Sequence, residues 1–278
     1  TESLVTMKVH VLTEPGREAK DVQTVFMLHC AGFHGKSFGK VARILNDSCE
    51  KRLRVLAPDL RAHGDTSVGT DTGFTWFEMA EDLTAFVRSE GLEGKTVAVG
   101  HSLGAVVAVI AEIENPGLFK GLWCFEPVLF SEGELGLLYS QFFASKAKGR
   151  KAKFESYSQA FDNFSRKFPM KGFDRECLQD YIMHGFRDTG RGVEMKCEPE
   201  SEAHTYMAGY QTYERDIYKR FNQIMCPIVL ACGTNIGKEN GVSRGSDHYL
   251  GEFLTGRLER YGHLSHFGPY EAPELIAE

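Results

Sequence analysis

Apolar residues in this chain form short unbroken runs, separated by longer stretches with helical spacing. A strand covered by helices on both faces is a continuous apolar run, because neither face meets water. The sequence therefore predicts buried strands at residues 22–28, 53–57, 96–99, 119–125 and 227–232. Helical spacing between these runs predicts helices at residues 39–52 and 74–90, and a third, buried helix directly after residue 104.

Weaker strand signals stand near the two ends of the chain. Residues 4–12 alternate loosely between apolar and polar side chains, which predicts a first strand. A final strand is predicted at residues 256–262, after a helix near residues 247–255. Strands that alternate with helices in this way are typical of an α/β protein, and the fold class predicted is a mostly parallel, doubly wound sheet.

The middle of the chain has a different pattern. Residues 128–220 carry amphipathic, aromatic-rich segments, and apart from a short alternating stretch at 192–197 they lack strand-like runs. This change predicts a helical cap inserted into the sheet domain. We therefore assign residues 1–127 and 221–278 to the core and residues 128–220 to the cap.

The charge of the chain limits its partners. A formal net charge of -6 at pH 7 argues against nucleic acid or an anionic membrane, since both are bound by a basic surface. Residues 146–153 are a local exception with four lysines and one arginine. We interpret this basic run as the solvated end of a helix or a loop.

The spacing of the cysteines and the absence of long apolar runs indicate where in the cell the protein is located. The seven cysteines are scattered without C-x-x-C pairs, which favours a reducing environment and no structural metal site. The N-terminal residues lack a signal-peptide pattern, and no apolar run approaches the roughly 20 residues of a membrane span. The sequence predicts a cytoplasmic protein.

The strongest candidate for chemistry is Gly-His-Ser-Leu-Gly at residues 100–104. This G-x-S-x-G spacing is typical of a nucleophile elbow, in which two glycines let a strand and a helix pass closely and lift the serine hydroxyl clear. A glycine-rich turn that binds phosphate, or that simply turns, is the alternative. The apolar strand before the motif and the buried helix after it favour Ser102 as a nucleophile.

A serine hydroxyl needs a histidine base and a carboxylate that orients the histidine. His263 and His266 both follow the final predicted strand and are candidates for the base. Glu126, at the end of the strand at 119–125, is favoured as the acid over Glu239, which follows the next strand.

Two loops at other strand ends complete this picture. The glycine-rich loop at residues 29–35 is suited to donate backbone N–H groups to an oxyanion. Asp59 and Arg61 follow the strand at 53–57 and are interpreted as a structural ion pair or turn network rather than as a catalytic pair.

Several motifs together resemble the α/β-hydrolase superfamily over nearly the whole chain. The matching segments are Leu28-His-Cys-Ala-Gly-Phe-His-Gly35, Pro58-Asp-Leu-Arg-Ala-His-Gly64, Val99-Gly-His-Ser-Leu-Gly-Ala105, Phe125-Glu-Pro-Val-Leu-Phe130 and His266-Phe-Gly-Pro269. The resemblance is to a branch whose acid stands in Glu-Pro-Val, and it implies Glu126 as the acid and His266 as the base. It also implies that the amides of Phe33 and Leu103 form the oxyanion hole.

The chain departs from the superfamily pattern at two positions. Ala62 stands where glycine is usual, and Ser265 stands where glycine often precedes the histidine. Neither residue belongs to the chemistry that the resemblance implies.

The predicted activity is hydrolysis of a carboxylic ester, thioester or lactone, without metal or cofactor. The expected substrate is a small apolar molecule, and the residues assigned to binding it are His34, His101, Phe130, Phe142 and Phe143. Core packing of the cap explains its aromatics equally well. Carbon–carbon bond hydrolysis or a lyase reaction at the same site, and a ligand receptor without turnover, stay open as alternatives.

Overall fold

The fold is described from a computed structural model, in which residues 5–16, 20–66, 73–128, 133–234 and 256–278 are described. Three sequence predictions lie outside the described residues. They concern the helix near 247–255, the substrate contact of Phe130 and the alternative acid Glu239.

Seven strands form the central sheet. They are β1 (Val9–Thr13), β2 (Gln23–Leu28), β3 (Leu53–Pro58), β4 (Thr96–His101), β5 (Gly121–Phe125), β9 (Ile228–Gly233) and β10 (Gly256–Tyr261). Their spatial order is β1-β3-β2-β4-β5-β9-β10. Only β1 runs antiparallel to its neighbour, and the other pairs are parallel. The mostly parallel sheet predicted from the apolar runs is therefore confirmed.

Helices cover both faces of this sheet. Those of the core are α1 (Gly39–Ser48), α2 (Trp76–Ser89), α3 (Leu103–Glu114), α9 (Gly268–Glu271) and α10 (Pro273–Ala277). Phe26 and Leu28 of β2 pack with α2 and α3, whereas Val25 and Met27 pack with α1 and the C-terminal helix. Alternate residues of one strand thus enter opposite cores, which is why the strand reads as an unbroken apolar run.

The segment between β5 and β9 is the predicted cap. It contains α4 (Gly133–Lys148), α5 (Tyr157–Ser165), α6 (Arg175–Gly185), α7 (Pro199–Ala208) and α8 (Gln211–Glu214). It also contains a small antiparallel sheet, which the sequence did not predict as a sheet, of β6 (Lys153–Phe154), β7 (Phe186–Asp188) and β8 (Val193–Met195). The alternating stretch at 192–197 contains β8, whereas β6 and β7 are two and three residues long, too short for such a pattern.

The cap and the core share apolar contacts. Phe33 and Tyr270 belong to core loops or helices, yet they pack in one cluster with the cap residues Phe164 and Tyr181. A short 3₁₀ helix, Ile217–Gln223, closes the inserted segment and contributes to the main core. The inserted segment therefore packs directly against the core through shared apolar clusters.

Two further observations concern the cysteines and the lengths of the apolar helices. All seven cysteines lie in the described part, and each is a free thiol. Among the described helices, none combines the length and the apolar character that crossing a bilayer requires.

Candidate active site

Ser102 lies at the sharp turn between β4 and α3. Its backbone has φ 54° and ψ -115°, a conformation that is strained for any residue with a side chain. The Ser102 amide donates to the carbonyl of Phe125 at 2.9 Å, which ties the turn to β5. The strand, turn and helix that the G-x-S-x-G motif predicts are thus present.

Close packing explains why glycines flank this serine. A Cβ atom on Gly104 would lie 2.2 Å from the Leu28 carbonyl oxygen, and one on Gly100 would lie 2.4 Å from the Ala105 Cα. Both neighbours are backbone atoms, which cannot rotate away. Glycine at these positions lets α3 approach β2 and β4 directly.

The substitution Gly104→Ala is expected to lower the free energy of unfolding by about 1–3 kcal/mol, because the new methyl group overlaps fixed backbone. Chemical denaturation measures this change. Gly16→Ala is the matched control, since a Cβ there meets nothing within 4 Å. Equal stability of the two variants would contradict the close approach described here.

Glu126 follows β5 and is almost fully buried, with 2% of its surface exposed. Its backbone has a positive φ of 48°, and its amide donates to the Ala231 carbonyl at 2.8 Å. Oε1 of its carboxylate accepts a hydrogen bond from the Gly233 amide at 3.0 Å. The end of β9 therefore holds the carboxylate from the neighbouring strand.

His266 lies in the loop after β10 and faces this carboxylate. Its Nδ1 is 3.6 Å from Glu126 Oε2, somewhat longer than a hydrogen bond. Catalytic contacts are often long without substrate and tighten in the complex. His263, the other candidate base, is exposed and does not line the cavity that contains Ser102.

Ser265 and Glu271 hold the backbone around His266. The Ser265 amide and hydroxyl both donate to the Glu271 carboxylate, at 2.8 and 2.5 Å. The Ser265 hydroxyl oxygen in turn accepts from the Phe267 amide at 3.1 Å. Serine at this departure from the superfamily pattern therefore stabilises the histidine loop.

His101 was predicted to contact substrate, but the structure places it beneath the site. It is fully buried and absent from the cavity lining, and its Nε2–H donates to the His266 carbonyl at 2.7 Å. Burial and the neighbouring His266 lower the pKa of His101 well below its usual range. A neutral His101 thus anchors the histidine loop.

His34 was also predicted to contact substrate, and the structure does not support this. Its Nε2–H donates to the Tyr181 carbonyl at 3.1 Å, and the ring stacks on Tyr181 instead of lining the cavity. Burial lowers its pKa to about 4. His34 joins the core loop to cap helix α6.

The loop before His34 provides the second side of the site. The amide of Phe33 donates to the Cys30 carbonyl at 3.2 Å, so in this conformation it is used within its own turn. This differs from the oxyanion role that the resemblance implied for Phe33. Ala31 lines the cavity beside Ser102 and Leu103, and the structure gives its amide no acceptor among the residues it describes.

Ser102, Leu103, Ala31 and His266 share one cavity between core and cap, with a volume of about 700 Å³. This is within the usual size of small-molecule sites. Its apolar lining includes Phe142 and Phe143, whose contact with substrate stays a prediction. The other aromatic residues that line it are Phe33, Trp76, Phe164, Phe168, Tyr206 and Phe267.

Asp59 and Arg61 form separate structural networks. Asp59 accepts hydrogen bonds from His10 and from the amides of Gly35 and Asp65. Burial raises the pKa of Asp59, but these hydrogen bonds and the nearby His29 together outweigh burial and leave the pKa below its usual range. Arg61 instead pairs with Asp82.

Among the described residues, one group brings metal-ligand atoms close together. Atoms of His10, Asp59 and Asp65 lie within 4.8 Å of one another. Both Asp59 oxygens already accept hydrogen bonds from protein groups. The closeness of these three side chains is explained by the hydrogen bonds that Asp59 accepts.

The sequence profile described as "Alpha/beta hydrolase family" matches residues 25–278 of this chain. The chain therefore belongs to the α/β-hydrolase family. The matched segment contains most of β2, the serine elbow and all later strands of the central sheet, whereas β1 precedes it.

Two curated relatives match part of the sequence. Protein phosphatase methylesterase 1 of Schizosaccharomyces pombe is 34% identical over 91 residues, which cover 31% of this chain and 27% of that protein. Ethanol acetyltransferase 1 of Hanseniaspora uvarum is 34% identical over 88 residues, which cover 30% of this chain and 25% of that protein. The matches thus span about a quarter of each relative.

A solved structure resembles the whole chain. The peroxisomal alpha-beta-hydrolase Lpx1 of Saccharomyces cerevisiae superimposes with a TM-score of 0.79 and 18% sequence identity, covering 98% of this chain and 79% of that one. At this identity the likeness concerns the fold.

Proposed function

We propose that this protein is a serine hydrolase that cleaves a carboxylic ester, thioester or lactone through an acyl-enzyme. The observation that carries the proposal is the strained Ser102, which shares a cavity with His266 while His266 faces the buried Glu126 at 3.6 Å. A nucleophile, a base and an orienting acid in this relation are the components of acyl transfer.

In the first step, His266 Nε2 takes the proton of the Ser102 hydroxyl as Oγ attacks the substrate carbonyl. The negative charge that develops on the carbonyl oxygen is stabilised by the amides of Ala31 and Leu103. Leu103 is the first residue of α3, so its N–H has no partner within the helix. His266 then protonates the departing alcohol or thiol.

In the second step, water attacks the acyl-enzyme. His266 takes a proton from this water and returns it to Ser102 as the carbon–oxygen bond to the serine breaks. The products are a carboxylic acid and the alcohol or thiol. Glu126 stabilises the imidazolium in both steps, and no cofactor takes part in this mechanism.

The relatives support ester chemistry without defining a substrate. One is named a methylesterase and another an acetyltransferase, and both names describe transfer of an acyl group to or from oxygen. The cap cavity of this chain is apolar over most of its lining. These points favour an apolar acyl group over a small polar one.

Covalent labelling tests the proposal. A fluorophosphonate is expected to add one phosphonyl group, and peptide mass spectrometry should locate it on Ser102. Prior incubation with a p-nitrophenyl ester that the protein hydrolyses should slow labelling. Labelling of another serine, or none at all in a protein that hydrolyses the ester, would overturn the assignment.

A further inference from the structure

The charged side chains that line the cavity are mostly cationic, in a chain whose net charge is -6. Lys146, Arg150, Lys151 and Lys167 line it, against the single carboxylate of Glu202 among the described residues. An acidic protein that collects cations at one cavity raises the local concentration of anions there. The basic run at 146–153 contributes three of the four.

Arg150 differs from the three lysines. It pairs with Glu202 and donates to the Tyr181 hydroxyl at 2.6 Å. Glu202 is 3% exposed, so this pair is a buried contact within the cap. Its charges compensate each other, and it leaves no net charge for a ligand.

The three lysines have no carboxylate within 4 Å in the part of the chain that the structure describes. Lys146 lies over the ring of Phe142 at 5.4 Å, and Lys151 lies over the ring of Phe154 at 4.6 Å. All three residues are exposed, and all three line the cavity. Other cap lysines behave differently, since Lys148 pairs with Glu200 and Lys153 with Glu194.

We propose that the substrate of this site is an anionic amphiphile, with a carboxylate or phosphate group that Lys146, Lys151 and Lys167 bind at the cap. This inference rests on the proposed function. The apolar part of the molecule lies along Phe142, Phe143 and the other aromatics, and its ester or thioester carbonyl reaches Ser102.

The lysines that would bind the anionic group and the serine that would react lie on opposite sides of the boundary between cap and core. Lys146 lies in the last turn of α4, Lys151 precedes β6 and Lys167 follows α5. All three belong to the cap, whereas Ser102 belongs to the core. A substrate long enough to contact both is oriented before reaction. The anionic group stands either on the acyl part or on the leaving group, and substrates of both kinds distinguish the two.

Matched esters test this proposal. For the acyl side, the mono-p-nitrophenyl ester of suberic acid is compared with p-nitrophenyl octanoate. For the leaving-group side, p-(octanoyloxy)benzoate is compared with its methyl ester. We expect kcat/KM to favour the anionic member of at least one pair by about tenfold, as electrostatic focusing in a cleft produces. Added salt should reduce that preference.

The variant Lys146→Gln/Lys151→Gln/Lys167→Gln should lower this preference about tenfold. The control variant Lys148→Gln/Lys153→Gln/Lys171→Gln removes the same charge from the same part of the cap, at residues that do not line the cavity, and should keep the preference. No preference in the parent protein, or an equal loss in both variants, would overturn the proposal.

A binding measurement separates this proposal from the proposed function. In the Ser102→Ala protein, calorimetry with octyl phosphate should detect binding that the first triple variant weakens and the second does not. If neutral esters are hydrolysed but neither anionic preference nor octyl phosphate binding is found, only the anionic substrate is wrong. If octyl phosphate binds but no ester is hydrolysed, only the hydrolase assignment is wrong.

Discussion

Ser102→Ala is expected to lower kcat/KM for p-nitrophenyl butyrate by at least about 10³-fold, the scale seen when a hydrolase nucleophile is removed. The physical reason is that Ser102 is the described hydroxyl at the elbow, in the cavity that Leu103 and His266 also line. Steady-state kinetics on purified protein measures the loss. Labelling by a fluorophosphonate should disappear with it.

A second serine provides the control for this experiment. Ser140 lines the same cavity and is buried, and its hydroxyl has no hydrogen-bond partner among the residues that the structure describes. Ser140→Ala should keep activity within about threefold, since removing an unpaired hydroxyl loses no contact. Retained turnover in a folded Ser102→Ala protein would refute the serine mechanism.

Glu126→Gln is expected to lower kcat/KM for the same ester by about 10²–10⁴-fold. Glutamine keeps an oxygen that can accept from the Gly233 amide, so the variant should fold. It loses the negative charge that stabilises imidazolium and selects the correct tautomer of His266. Kinetics combined with a thermal unfolding curve separates loss of chemistry from loss of structure.

The alternative acid gives the matched control for Glu126. Glu239→Gln removes one carboxylate at the position where the acid of such folds is usual, after β9. Activity close to that of the parent protein is expected. A larger loss for Glu239→Gln than for Glu126→Gln would identify Glu239 as the acid.

The sheet could be predicted because its strands are buried on both faces. The unbroken apolar runs locate β2, β3, β5 and β9 to within one or two residues at either end, and the parallel order follows from the helices between them. The short cap strands were not predicted as a sheet. Strands of two or three residues carry too few positions for periodicity to separate them from loops.

The site itself was predicted unevenly. Ser102 and its flanking glycines form a local motif, so they could be recognised in the sequence. The glycines of this motif indicate a close approach of strand and helix, which Gly104 makes to Leu28. His34 and His101 were predicted to contact substrate, and both lie within the sequence motifs. Their side chains are instead turned to Tyr181 and to the His266 loop, and sequence adjacency does not specify that direction.

Two features of the site could not be predicted from the residues alone: the use of the Phe33 amide and the positions of the cap lysines. The hydrogen bond from the Phe33 amide to the Cys30 carbonyl depends on how the loop folds. The motif therefore could not indicate Ala31 instead of Phe33 as a proposed oxyanion donor. The basic run at 146–153 was interpreted as solvated surface. Only the cap fold separates Lys146 and Lys151, which line the cavity, from Lys148 and Lys153, which pair elsewhere.

The sequence by itself determined the fold class and the nucleophile candidate, because continuous apolar strands and a glycine-flanked serine act through near neighbours in the chain. The tertiary structure decided which histidine faces which carboxylate, and which cap cations reach the cavity. Glu126 and Gly233 are more than a hundred residues apart in the chain. A whole strand, β10, separates Gly233 from His266. Contacts over such separations arise from the packing of strands and cap, so they become visible only when the chain is folded.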